Sequence, residues 1–223
     1  FAWVGSRRHD LNQTLIGVTT QVSVLHSLDY DLVLEEKARE RDQRPVGVLL
    51  DTMGPSHPDF VTFGKSYWSN TPEEYFHTLR TLLADLETSL GMPIEVAAHP
   101  RAAPGSLDAF YVGHQVRYGE TARALAESRI VIATNATTSL GMAIALDKPL
   151  LLVCDPDWPN EVKSGITKFA RLTDAQVWTR SSSPPPCVVR GLGTKQRENF
   201  LSEFVKSPTC PDKPFWELVA DEI

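Results

Sequence analysis

The spacing of hydrophobic and polar positions in this 223-residue chain switches repeatedly between a strand-like and a helix-like period. The clearest unit is residues 130–153, IVIATNATTSLGMAIALDKPLLLV. Two apolar runs, 130–133 and 150–153, flank a stretch at 138–146 with helical spacing. This predicts a strand, a polar turn, a helix, a short turn and a second strand. Upstream, the β-branched stretch 15–25 predicts at least one strand. A helix is expected from Asp29 to about residue 42, capped by Ser27 or Asp29, with Glu35 and Arg39 paired on its wet face. The run VGVLLD at 46–51 reads as a buried parallel strand. The 19 residues at 52–70 are too aromatic for disorder and read as a folded loop at that strand's carboxyl end.

Residues 71–90 carry the strongest helix signature. Thr71 is the cap, Pro72 the first helical residue and Glu74 the closing member of a capping box. Tyr75, Phe76, Leu79, Leu82, Leu83, Leu86 and Leu90 share one face, and Gly91 and Pro93 stop the helix. A strand at 94–99, a helix at 119–128, a short helix at 166–172 and a strand at 176–179 follow. Residues 181–186, SSSPPP, read as a loop or linker before helices at 194–206 and 214–221. Strands alternating with helices predict one α/β domain, a doubly wound, Rossmann-like, mostly parallel sheet with helices on both faces. Its core is expected at about 15–180. Ligands of such sheets lie beyond the carboxyl ends of the strands. The polar loops 51–59, 99–105, 134–139 and 154–160 all fall at that edge.

Composition narrows the function. A net charge of −6 argues against a nucleic-acid partner. No apolar run approaches the roughly 18 residues that a membrane span requires. The three cysteines, Cys154, Cys187 and Cys210, lack metal-ligand spacing and read as free thiols of a cytoplasmic protein. No metal or cofactor is expected. No glycine-rich dinucleotide fingerprint, Walker sequence or nucleophile elbow occurs.

The remaining polar residues suggest an anion site. Asn135, Thr137, Thr138 and Ser139 stand where a helix begins, a position suited to phosphate; capping by Thr137 or Thr138 is the plainer alternative. Gly141, in the first helical turns, implies a close approach of something. His99 and Arg101 directly follow a strand, and a guanidinium grips phosphate or carboxylate with two hydrogen bonds. Asp51, His57 and Asp59 form a carboxylate–imidazole–carboxylate set fit for general-base work, or for turn hydrogen bonds. Glu120 and Thr121 open the helix before the central strand; Glu120 either accepts from ribose hydroxyls or favours the helix dipole. Tyr67 and Trp68 either stack on a sugar or base or pack against the helix of Tyr75.

The segments HSLDYD, VGVLLDTMGPSHPDF, VAAHPRA and ETARALAESRIVIATNATTSLGMAIALDKPLLLV together resemble bacterial surface-polysaccharide biosynthesis proteins. More distantly they are similar to the second domain of two-domain, B-type glycosyltransferases, including polysialyltransferases and capsule transferases, and of UDP-GlcNAc 2-epimerases. The similarity spans about 15–155. It implies a nucleotide-sugar donor and a glycan acceptor. His99, Arg101, Thr137, Thr138 and Ser139 would hold the donor's phosphate, and Glu120 and Thr121 would lie near its ribose or base. The pattern departs at Asn135, where such proteins often carry His. Asp51 or His57 is the in-chain base. The chain begins with Phe1 and reads as a segment of a longer protein with a second α/β domain. A sugar-nucleotide epimerase or hydrolase, and a non-catalytic nucleotide or glycan sensor, are the rival readings.

Overall fold

The structure, a computed structural model, describes residues 2–4, 22–40, 42–63, 68–180 and 183–222. A six-stranded parallel sheet forms the centre. Its strands are β3 (Gly47–Leu50), β4 (Ile94–Ala97), β5 (Val116–Arg117), β6 (Ile130–Ala133), β7 (Leu150–Cys154) and β8 (Gln176–Thr179). They lie in the order β5-β4-β3-β6-β7-β8. Numbered within the sheet this is 3-2-1-4-5-6, the arrangement of dinucleotide-binding α/β folds. The expected doubly wound, Rossmann-like architecture is therefore present, and the sheet is parallel throughout. A separate parallel pair joins β1 (Ala2–Val4) to β2 (Val22–Val24). The rest of the strand expected at 15–25 lies outside the described residues.

The central strands are apolar, Glu95 of β4 excepted, because both faces are covered. Every residue of β3, β4, β6 and β7 is buried. The run from β3 to β4 moves along the sheet opposite to the run from β5 through β8. Right-handed crossovers thus put α3 (Pro72–Leu90) on one face and α4 (Thr121–Glu127), α5 (Ser139–Ala145) and α6 (Asn160–Thr173) on the other. Helix α1 (Asp29–Lys37) packs against α4 and α5.

Helix α3 forms as its caps dictate. Thr71 accepts the Glu74 N–H and the Glu74 carboxylate accepts the Thr71 N–H at 2.8 Å, while Gly91 ends the helix with φ of 64°. Tyr75, Phe76, Leu79, Leu82, Leu83 and Leu86 are buried against the sheet. Each such side chain contributes about 1.5–3 kcal/mol of transfer free energy.

Other elements depart from expectation. Helix α1 ends at Lys37, and neither Ser27 nor Asp29 caps it through its side chain; the Ser27 carbonyl accepts the Tyr30 N–H instead. Arg39 pairs with Glu36 at 2.9 Å rather than with Glu35, because one helical turn brings the buried Glu36 equally close. Helix α6 starts at Asn160, six residues before the predicted start, directly after Pro159. The predicted loop at 52–70 contains a 3₁₀ turn (Gly54–Ser56) and α2 (Pro58–Phe63).

Beyond β8 the chain folds back. The Trp178 indole donates to the Ser183 carbonyl, and the Ser89 hydroxyl donates to the Pro185 carbonyl at 3.0 Å. Helix α7 (Thr194–Phe200) packs on α6 and continues into a π-helical turn, Leu201–Val205, against α5. A Cβ on Gly141 would stand 3.2 Å from Val205 Cγ2, so the close approach that Gly141 serves is to this turn. Helix α8 (Phe215–Asp221) closes a small second core with Leu25 and Cys210. His26, fully buried, ties the ends together, with Nε2 2.8 Å from the Lys213 carbonyl. Among the described residues no helix is long and apolar enough to cross a membrane.

Gly54 supports the first loop of the cleft. Its φ is +46°, and an added Cβ would lie 2.5 Å from the fully buried Tyr75 ring. Gly54→Ala is expected to lower the unfolding free energy by about 2–3 kcal/mol, from backbone strain and overpacking together. Urea denaturation followed by tryptophan fluorescence measures it; an unchanged midpoint would refute this account of the turn.

Candidate functional site

The order of strands reverses at β3, which lies between β4 and β6. The loops after β3 and β6 therefore part at the carboxyl edge and leave a crevice. Register makes the rim level, since Leu50 pairs with both Ala97 and Ala133. Four cavities open here around the turn that precedes α5.

The first, of about 240 Å³, lies among Thr52, His57, Asp59, Trp68, His99 and Asn135, with Thr137 on its wall. The second is a small recess of about 80 Å³ beside Asp51, His99, Thr121 and the segment Thr137–Thr138–Ser139. The third is a groove of about 480 Å³ between α1 and α4, reached past Pro100 and lined by Glu120, Thr121, Thr138 and Ser139. The fourth, about 430 Å³, is largely apolar and lies on the α6 side of Thr137 and Thr138.

Asp51 lies beneath the recess and is buried. It accepts the Tyr111 hydroxyl at 2.6 Å, the Met53 N–H at 3.1 Å and the His99 N–H at 3.3 Å. Burial pushes its carboxyl up from the ordinary carboxylate range, and these three donors pull the other way. Tyr111, completely buried beside Asp51, is held far above the usual phenol value by burial first and that charge second. Nothing in the sequence pattern around Tyr111 marks this role; its partner is 60 residues away.

His57 and His99 meet edge to face, with centroids 4.9 Å apart. His99 Nδ1 accepts the Arg101 N–H, and His57 Nδ1 accepts the Asp59 N–H, each at 3.2 Å. In the neutral rings both protons accordingly sit on Nε2. The Asp59 carboxylate stands 3.7 Å from His57 Nδ1, and Arg101 grips the same carboxylate. Arg101 is more than half exposed and lines none of the four cavities. Its pairing with Asp59 offsets that carboxylate's charge at the cavity.

Thr138 stands at the N-cap position of α5 but makes no side-chain cap hydrogen bond. The Thr137 hydroxyl oxygen is buried with no hydrogen-bond partner, and it faces a region shared by three cavities. The plain capping role is thus not the one these hydroxyls perform. Asn135 Oδ1 accepts the Ala136 N–H at 2.8 Å. Glu120 accepts from Arg117 at 3.0 and 3.1 Å, so its carboxylate joins an ion-pair network while lining the groove. Trp68 packs edge to face on Tyr75 with centroids 4.9 Å apart, and near Trp158, yet still lines the His57 cavity. Tyr67 lies outside the described residues.

The structure thus brings together Asp51, His57, His99, Asn135, Thr137, Thr138 and Ser139, with Glu120 and Thr121 at the adjoining groove. His26, Asp31 and His114 are structural. Asp31 accepts the Phe215 N–H at 2.8 Å, and His114 Nδ1 lies 3.1 Å from the Ile94 carbonyl. Among the described residues no group of His, Cys, Asp and Glu is disposed to hold a metal ion. Compared with models of known protein families and with curated proteins, the chain matches none.

Burial lowers the His99 pKa below its ordinary 6.5, and the nearby His57 and Arg101 charges add to the effect. A base with a depressed folded-state pKa stabilises the fold above the unfolded value and loses that contribution as pH falls. The urea midpoint should therefore drop on going from pH 7 to pH 5, and drop less in His99→Gln. Parallel slopes for the two proteins would show that His99 is not the titrating group.

Proposed function

We propose that this chain is the donor-binding part of a glycosyltransferase that uses a nucleotide-activated sugar, in cytoplasmic synthesis of bacterial surface polysaccharide. One observation carries the reading. His99 and the hydroxyls of Thr137, Thr138 and Ser139, although 38 to 40 positions apart in the chain, line one recess at the topological switch point. The resemblance of 15–155 to B-type glycosyltransferases supports the same assignment.

In this reading the α1–α4 groove takes the nucleoside, with Glu120 and Thr121 toward the ribose. The recess takes phosphate, and the cavity of His57, Asn135 and Trp68 takes the sugar. Transfer breaks the bond between the anomeric carbon and a phosphate oxygen and forms a bond to the acceptor hydroxyl. Negative charge grows on the departing phosphate. His99 Nε2–H and the Thr137 hydroxyl donate hydrogen bonds to it there, an effect worth several kcal/mol in a preorganised site. Arg101, at the rim, offsets the negative charge that Asp59 brings to the cavity. His57 removes the acceptor's proton through Nδ1, once that nitrogen releases the Asp59 N–H that it accepts in the structure. Asp51, whose oxygens already accept three hydrogen bonds, holds the loops in place. A second α/β domain covers the glycan acceptor from the far side of the cleft.

Calorimetric titration with CMP-, UDP- and GDP-sugars tests the assignment. One of them should bind, and Thr137→Val and His99→Gln should each weaken it about tenfold, the cost of one buried charge-assisted hydrogen bond. Absence of binding by all three, or wild-type affinity in both variants, refutes it.

A sugar-nucleotide hydrolase or epimerase is the second reading. The edge-to-face His57–His99 pair, with Asp59 beside it, would supply an acid and a base within one cavity of this chain. Release of free nucleotide from the bound donor by the chain alone would favour it.

A further inference from the structure

The donor reading uses three of the four cavities and leaves the fourth without a role. That cavity, about 430 Å³, lies across Thr137 and Thr138 from the phosphate recess. Its wall is mostly hydrocarbon and aromatic: Val33 and Met142 on one side, Phe169, Phe200, Phe204 and Val205 on the other. Leu172 extends the apolar lining to its mouth and is 39% exposed.

Three separate features shape this space. The π-helical turn Leu201–Val205 swings Phe204 and Val205 toward α5; such turns recur at functional sites. Gly141 lets Val205 sit closer than an unstrained Cβ contact would allow. Phe200 and Phe204 stack with centroids 5.0 Å apart, which fixes their orientation. The buried, unpaired Thr137 oxygen marks the boundary between this apolar space and the polar one. A group that crosses the boundary would meet a hydroxyl that lacks a partner and would satisfy it.

We propose that this cavity binds the hydrocarbon chain of an amphiphile whose polar end reaches Thr137 and the His57–His99 cavity. Charge fits this division. The imidazole Nε2–H groups can donate to an anionic or hydroxyl-rich head, and Arg101, paired with Asp59 at the rim, offsets that carboxylate's charge. The carboxylate of Asp29, at the apolar cavity, disfavours an anion there. The proposal rests on the donor reading in one respect, since it makes the amphiphile the acceptor; the cavity's preference for a chain stands apart from it.

Two series of probes test this. Inorganic phosphate and butyl, hexyl and octyl phosphate are titrated by calorimetry, and butyl to octyl β-glucosides likewise, all below their micellar concentrations. Affinity should rise roughly three- to fourfold per added methylene, the yield of burying one. Ala136 is exposed and lines the cavity, so Ala136→Trp fills it at small risk to folding. That variant should flatten both series and leave inorganic phosphate unaffected. Leu172→Asp, at the exposed mouth, should weaken the octyl members alone. A flat series in the wild type, or an undiminished slope in both variants, overturns the proposal. So does displacement of octyl phosphate by cytidine or guanosine, which would make the cavity a base site. Loss of phosphate binding together with a persisting glucoside slope would refute the donor reading and uphold this one.

Discussion

One buried carboxylate fixes the shape of the cleft. Asp51 directly follows the central strand and takes hydrogen bonds from Met53, in its own loop, and from His99 and Tyr111, in the segment after β4. A carboxylate removed from water is costly unless its oxygens are satisfied, and here each is. The dependence runs both ways. Without the carboxylate the Tyr111 hydroxyl would be stranded in the core, and the loop of His99 would lose its anchor to β3. The two loops consequently share one support.

The sheet supplies the rest of the frame. Parallel pairing of β4, β3 and β6 in level register brings three loops to one height, so residues from distant parts of the sequence meet without long excursions. The loop after β3 is shaped by aromatic packing, with Tyr75, Trp68 and Trp158 in mutual contact beneath it. Above α5 the wall comes from the C-terminal region. Polar and apolar compartments thus arise from different layers of the fold, and the short segment Thr137–Thr138 separates them.

Much of this was legible in the sequence. Strands buried on both faces are largely apolar, and residues 46–50, 130–133 and 150–153 read that way because turn residues bound them closely, while Glu95 interrupts the pattern of 94–97 and is paired with Arg44. Helix α3 was legible from Thr71, Glu74 and Gly91, whose effects are local. The loops that meet at the rim followed from topology once the strands were placed. What escaped depends on partners far away in the chain. Arg101 could be placed near the site, but its grip on Asp59, 42 residues upstream, could not. Tyr111 sits in a stretch with no periodicity. Helix α6 hid its start because Asn160 and Glu161 follow two prolines that resemble a loop. The π-helical turn is set by packing on α5, and an amphipathic pattern alone predicts an ordinary helix there.

The contact between Gly141 and Val205 ties the evolutionary freedom of two distant positions together. With 3.2 Å between an imagined methyl and the valine, residue 141 can grow at no cost only if residue 205 gives way. A shrinkage at 205 would have to come first, and it would widen the hydrocarbon chamber before any enlargement at 141 narrowed it again. Homologous chains would then be expected to trade bulk between these sites as a pair, with chamber width inherited as a correlated trait.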